Sequence, residues 1–143
     1  PRLGDFLSVD RVLFIPPGLP RERIIRDLLS RMDLQNPTQA FQAIMEREKG
    51  GATLIGDAVA MPHARLEGLG GLQAAFGISL EGPVFVWIVF VSGLSNPKLH
   101  LGFLSSVSQF FLAPGRVDAL RALASPKTVL DYIRQEEIPK IFS

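Results

Sequence analysis

The sequence predicts an α/β fold, a mixed β-sheet flanked by helices on both sides. Three observations carry this expectation. Val84 to Val91 is apolar at every position, which marks a strand buried on both faces in the middle of a covered sheet. Asn36-Pro37 and Asn96-Pro97 are matching helix-start signals, with Asn as the N-cap and Pro as the first helical residue. The order strand, helix, helix, several strands, helix, helix then suits helices packed on two faces of one sheet.

The elements follow in chain order. Val12 to Ile15 is a short apolar run that stops at Pro16-Pro17-Gly18, a strand followed by a turn. Pro20 suits the first turn of a helix, and Ile24, Ile25, Leu28, Leu29 and Met32 recur at helical spacing with Arg23, Arg26, Asp27 and Ser30 between them. The second helix starts at Asn36-Pro37, with Gln39 three residues after the cap, carries Phe41, Ile44 and Met45, and should end at Gly50-Gly51. Thr53 to Met61 reads as one or two extended pieces broken at Gly56, and Pro62 to Gly71 as a glycine-rich loop. Leu72 to Leu80 and Val84 to Val91 read as strands. Asn96-Pro97 opens a helix bearing Phe103, Leu104, Val107, Phe110 and Phe111 that ends near Pro114-Gly115. Ser125-Pro126 opens the last helix, with Val129, Leu130 and Ile133 on one side.

A chain of 143 residues that is 47% hydrophobic and 20% charged can bury a sizeable core. Residues 1–143 are read as a single domain. The chain begins at Pro1 without a methionine, so excision from a longer chain is expected. A net charge near +1, with basic residues interleaved with acidic ones as in Glu46-Arg47-Glu48-Lys49, offers no field for nucleic acid. The chain has no cysteine, which removes thiol catalysis, disulfides and cysteine-ligated metal. The longest apolar run has eight residues, far short of the roughly 20 that a spanning helix needs. No membrane insertion of this domain and a cytoplasmic location are therefore expected, and the polar start Pro1-Arg2-Leu3-Gly4-Asp5 does not resemble a signal peptide.

Only two histidines exist. His63 follows Met61-Pro62, and proline holds both itself and the preceding residue extended. The imidazole is thus presented on a stiff backbone at a strand end, where the loop begins. Arg65 lies two residues on, and in extended chain positions i and i+2 point the same way. Its planar guanidinium matches phosphate oxygens. On the residues alone, His63 also reads as an exposed loop histidine with no role. His100, in Lys98-Leu99-His100-Leu101, falls on the apolar stripe with Leu104 and Val107 and reads first as a core residue. Its place near a helix start, where unpaired N–H groups favour anions, leaves open that it lines an anion site. Gly68-Leu69-Gly70-Gly71 lacks the Lys-Ser/Thr of a phosphate loop, and no carboxylates are spaced with the histidines as metal ligands.

The segment Arg47-Glu48-Lys49-Gly50-Gly51-Ala52-Thr53-Leu54-Ile55-Gly56-Asp57-Ala58-Val59-Ala60-Met61-Pro62-His63-Ala64-Arg65 resembles the active-site signature of the mannitol/fructose-type enzyme IIA domains of the bacterial sugar phosphotransferase system. The nitrogen-regulatory IIA proteins share that fold. The upstream helix pair, the apolar strand, the His-Leu helix and the terminal Ser-Pro helix match as well, so the resemblance covers about residues 5 to 136. It implies that His63 carries a phosphoryl group, that His100 lies near it and supports it, and that Arg47 of the Arg-Glu pair lies close to the phosphoryl site. It implies no metal and no cofactor. The donor would be a small histidine phosphocarrier protein, and the acceptor a IIB domain or a regulated protein.

Two positions depart from the family pattern. Asp57 stands where members usually have Asn, and an ionised Asp accepts hydrogen bonds but cannot donate them. Beside a phosphoryl group it would also repel like charge, so it either points away or weakens phosphorylation. Lys98 stands where the family often has acidic residues, and its charge would partly offset Asp57. The alternative is therefore a nitrogen-regulatory-type or degenerate IIA module that controls a partner by binding. Because donor and acceptor must both reach His63, Met61, Leu66 and Leu69 are expected to form a shallow apolar surface around it.

Overall fold

The computed structural model describes residues 1–138. Two 3-10 turns, Leu3–Phe6 and Val9–Arg11, precede six strands: β1 (Val12–Ile15), β2 (Leu54–Ile55), β3 (Val59–Ala60), β4 (His63–Leu66), β5 (Leu72–Ser79) and β6 (Val86–Gly93). The helices are α1 (Arg21–Leu29), α2 (Pro37–Glu48), α3 (Pro97–Leu112), α4 (Arg116–Arg121) and α5 (Pro126–Glu136). The strands form one mixed sheet in the order β1-β5-β6-β3-β2, with β4 also pairing β6. Among these residues no helix is long and apolar enough to cross a membrane.

The expected helix starts are all present. Asn36 accepts from Gln39 N–H, Asn96 from Leu99 N–H and Ser125 from Thr128 N–H, each with proline at the first helical position. Each cap satisfies an N–H that the helix leaves unpaired, a contribution of about 1 kcal/mol. The sequence pattern did not reveal α4. Its six residues hold only Val117, Ala119 and Leu120 as apolar side chains, too short a stretch to show a period.

Strand β6 is buried at all eight positions and sits inside the sheet. Its alternate side chains enter two cores. Val86, Ile88 and Phe90 join Phe76 and Ile78 of β5 and Phe103, Val107, Val129 and Ile133 of α3 and α5. Trp87, Val89 and Val91 face the other way, toward Ile25, Leu28 and Leu29 of α1 and Ala40 and Ile44 of α2. Helices thus cover both faces of the sheet, as the sequence predicts. Each of these large side chains contributes about 1.5–3 kcal/mol by leaving water.

The largest departure from expectation lies between Pro62 and Gly71. His63–Leu66 is strand, where a loop was expected. Gly56, at φ +59°, turns β2 into β3 as an antiparallel pair. Val59 and Ala60 then pair with Val86 and Trp87, and His63 to Leu66 pair with Phe90 to Gly93 in the same parallel register. The two pieces are one extended line along β6, interrupted at Met61-Pro62. Proline lacks an N–H and cannot donate to a ladder, which accounts for the break. Phe90 N–H still donates to Pro62 O at 3.2 Å, so the register carries across. Four residues with one alternating pair are too few to announce a strand; tertiary pairing to β6 makes it one.

Gly93 closes β6 under tight constraint. A Cβ at this position would strike the Leu69 carbonyl oxygen, a backbone atom that has no rotamer to move. Gly93→Ala is expected to destabilise the fold by about 1–3 kcal/mol, the usual cost of overpacking. A urea midpoint equal to that of the unsubstituted protein would contradict this packing.

Candidate functional site

The two histidines meet above the C-terminal half of β6. His63 opens β4 and lies opposite Phe90, and the two rings stack at 4.9 Å with only 2° between their planes. His100, one turn into α3, lies 5.4 Å from both rings. Phe103 closes the cluster at 4.8 Å from Phe90. The apolar ring of Phe90 therefore holds both imidazoles. Each is nearly buried, with 6% of His63 and 8% of His100 exposed.

Hydrogen bonding assigns the tautomer of His63. Its Nδ1 lies 2.7 Å from Met61 O. A carbonyl only accepts, so Nδ1 carries the proton and donates it. In the neutral ring, Nε2 then keeps a lone pair. The accepting carbonyl belongs to the residue just before Pro62, at the interruption between β3 and β4. His100 Nδ1 lies 2.6 Å from the hydroxyl of Ser92, which is fully buried on β6.

Both imidazoles are held neutral. Burial is the main cause of the lowered pKa of His63; the Arg47 charge adds to it, while the Met61 carbonyl and Glu48 act in the opposite sense. For His100, burial again comes first, followed by the repulsion that a protonated His63 would exert and by the charges of Arg65 and Arg47. Arg47 sits in the last turn of α2 and is exposed. Its neighbour Glu48 pairs with Arg21, whose guanidinium lies over the Trp87 ring at 5.1 Å.

The remaining sequence candidates fall at different distances from the pair. Arg65 is exposed and donates from Nη2 to Leu94 O at 2.7 Å, which ties β4 to the turn before α3. Its charge acts on His100 and is absent from the charges acting on His63. Asp57, in the β2–β3 turn, and Lys98, at the start of α3, are exposed, and neither is among the charges acting on either imidazole. Met61 corrects an expectation: it is only 2% exposed and belongs to the core, because the break at Pro62 turns it inward. Leu66 and Leu69 are half-buried. Leu94, in the turn before α3, and Leu101, next to His100 in the chain, are exposed apolar residues. Sequence reasoning missed Phe90, Glu48 with Arg21, and Ser92. Ser92 did leave a signal, as the lone polar side chain of β6. Among the described residues no group of three or more His, Cys, Asp or Glu could hold a metal ion.

Residues 6–136 match the family described as phosphoenolpyruvate-dependent sugar phosphotransferase system, EIIA 2. The chain belongs to this family. Its relatives include a nitrogen regulatory protein of Pseudomonas putida, 32% identical over 90 residues, which cover 58% of this chain and 97% of that protein. A fructose-specific EIIABC component of Bacillus subtilis is 25% identical over 130 residues, or 82% of this chain and 20% of that longer protein. The crystal structure of nitrogen regulatory protein IIA-Ntr from Neisseria meningitidis shares the fold with a TM-score of 0.81 and 21% identity, covering 92% of this chain and 98% of that one.

The depressed histidine pKa values carry a sign for stability. Unfolded histidine titrates near 6.5, and both folded values lie below it. Between the folded values and 6.5 the unfolded chain binds more protons, so stability rises with pH. The urea midpoint of this EIIA 2 chain is expected to fall as pH drops from 7 through 6.5 toward 5. The fall should be smaller in His100→Gln, and identical pH slopes for the two proteins would refute the assignment of a neutral buried His100.

Proposed function

We propose that this chain is a phosphoryl carrier that accepts a phosphoryl group on His63 Nε2 from the phosphohistidine of a small phosphocarrier protein. The observation that carries this reading is the hydrogen bond from His63 Nδ1 to Met61 O, which leaves Nε2 as the ring's nucleophile. The step balances simply. Nε2 donates its lone pair to phosphorus, the donor's P–N bond breaks, and the donor imidazole leaves with the bonding pair. Positive charge that develops on the His63 ring is stabilised at Nδ1–H by the Met61 carbonyl. No other covalent chemistry is required, so catalysis rests on positioning and on charge stabilisation.

The environment of His63 suits this step. Burial keeps the ring unprotonated at neutral pH, and a protonated Nε2 would have no lone pair to offer. Stacking on Phe90 fixes the ring plane. Arg47, which acts on both imidazoles, supplies cationic charge for the spreading negative charge of the transferring group. Arg65 and Lys98 add positive potential at the start of α3, while Asp57 is read as pointing away from the phosphoryl group. His100 supports the group through a hydrogen bond. The phosphoryl group then passes to a IIB domain or reports on a regulated protein. The relatives named nitrogen regulatory protein favour the regulatory use of the same carrier step.

The test is the intact mass of the protein after incubation with phosphoenolpyruvate, enzyme I and the small phosphocarrier. One added, acid-labile phosphoryl group is expected, absent from His63→Ala. Arg47→Ala should slow labelling by roughly 10², the usual cost of losing one charge-stabilising group. Full labelling of His63→Ala would overturn the assignment.

A further inference from the structure

We propose that Ser92 is a positioning residue for phosphoryl transfer, because its hydroxyl sets the second histidine, His100, as a hydrogen-bond donor through Nε2. The proposal rests on the phosphoryl-carrier reading of His63.

Ser92 ends the face of β6 that carries Val86, Ile88 and Phe90, since side chains two apart share a face. It is fully buried. A serine there has no packing advantage over alanine or valine and must satisfy a hydroxyl away from water. Its Oγ lies 2.6 Å from His100 Nδ1, and among the described residues this is the one hydrogen-bond partner of that hydroxyl.

Two arrangements are chemically open. If Nδ1–H donated to the hydroxyl oxygen, the serine proton would be buried with no acceptor. Native interiors rarely leave a donor in that state. If the hydroxyl donates, both members of this bond are satisfied: Oγ–H goes to Nδ1, and Nδ1 bears no proton. The neutral ring must then hold its proton on Nε2. Burial and the charges of Arg65 and Arg47 disfavour a second proton on the ring.

The tautomer matters because of what a phosphoryl group offers. Its oxygens are anionic and only accept. The rings of His63 and His100 are 5.4 Å apart, so a group borne by His63 extends beside His100. A bare Nε2 would set a lone pair against those oxygens, whereas Nε2–H binds them. Ser92 thus decides, from beneath, whether the second histidine attracts or repels the cargo. It touches no reacting atom itself.

Long-range proton–nitrogen NMR on the imidazoles reads this directly, and His100→Gln assigns the two rings. In the unphosphorylated protein His100 is expected to show an unprotonated Nδ1 and a protonated Nε2. A proton on Nδ1 in that spectrum overturns the proposal without any appeal to activity. In Ser92→Ala the His100 signals should shift toward the other tautomer while those of His63 stay. Labelling of His63 should slow roughly tenfold at saturating donor, equivalent to one weakened hydrogen bond to a charged group, with KM for the donor unchanged. Ser92→Thr, which keeps the hydroxyl, should restore both the spectrum and the rate. An unchanged rate in a folded Ser92→Ala protein also overturns it. Failure of the unsubstituted protein to label at all would overturn the carrier reading and the role given to Ser92 with it. The NMR tautomer would then stand as a separate fact, so the two failures are distinguishable.

Discussion

A strand with no solvent-facing side must be paired along both edges and covered on both faces, and β6 imposes those demands on the whole chain. One edge is taken by β5 in antiparallel pairing, the other by β3 and β4 in parallel pairing. Its two faces require two helical layers, and the side chains of α1 with α2, and of α3 with α5, supply them. The site is a product of the same demands. His63 is aligned with Phe90 by strand register, and His100 is brought over Phe90 by the packing of α3 on the same face.

The electrostatics of the site are built from opposed influences of unequal reach. Arg47 acts on both imidazoles, while its neighbour Glu48 acts on His63 in the opposite sense. Glu48 is itself committed to Arg21 of α1, whose guanidinium lies over Trp87 on the face of the sheet that α1 and α2 cover. Breaking this pair by removing one partner would leave the other charge uncompensated. The end of α2 is thereby tied to α1 through charge as well as through apolar contact.

Much of this was legible in the sequence, for identifiable reasons. Helix starts at Asn36-Pro37, Asn96-Pro97 and Ser125-Pro126 are local chemistry, and local chemistry survives in a single chain. The continuous apolar run of β6 announced a covered central strand, and with it the layered α/β fold. The two histidines were visible because there were only two. What was not legible depends on pairing across the fold. Strand β4 looks like loop until β6 lies beside it, and Met61 looks like rim until Pro62 is seen to turn it inward. The ion pair of Arg21 with Glu48 and the hydrogen bond of Ser92 with His100 join elements that the sequence does not connect. Arg65 shows the limit of alternation arguments, since its guanidinium is drawn to the Leu94 carbonyl.

The interruption at Met61-Pro62 has a consequence for motion. A histidine in a free loop would sample many ring positions, and each transfer would have to select one, at an entropic cost of about 1–2 kcal/mol per residue ordered. Here the backbone before His63 is held by proline and the backbone after it by β6, while the ring is clamped between a carbonyl and a phenyl face. On the carrier reading, loading and unloading then reorganise little of the host. Forward and reverse transfer meet the same rigid ring, and the direction of flow is left to the concentrations and phosphorylation states of the proteins that dock on it.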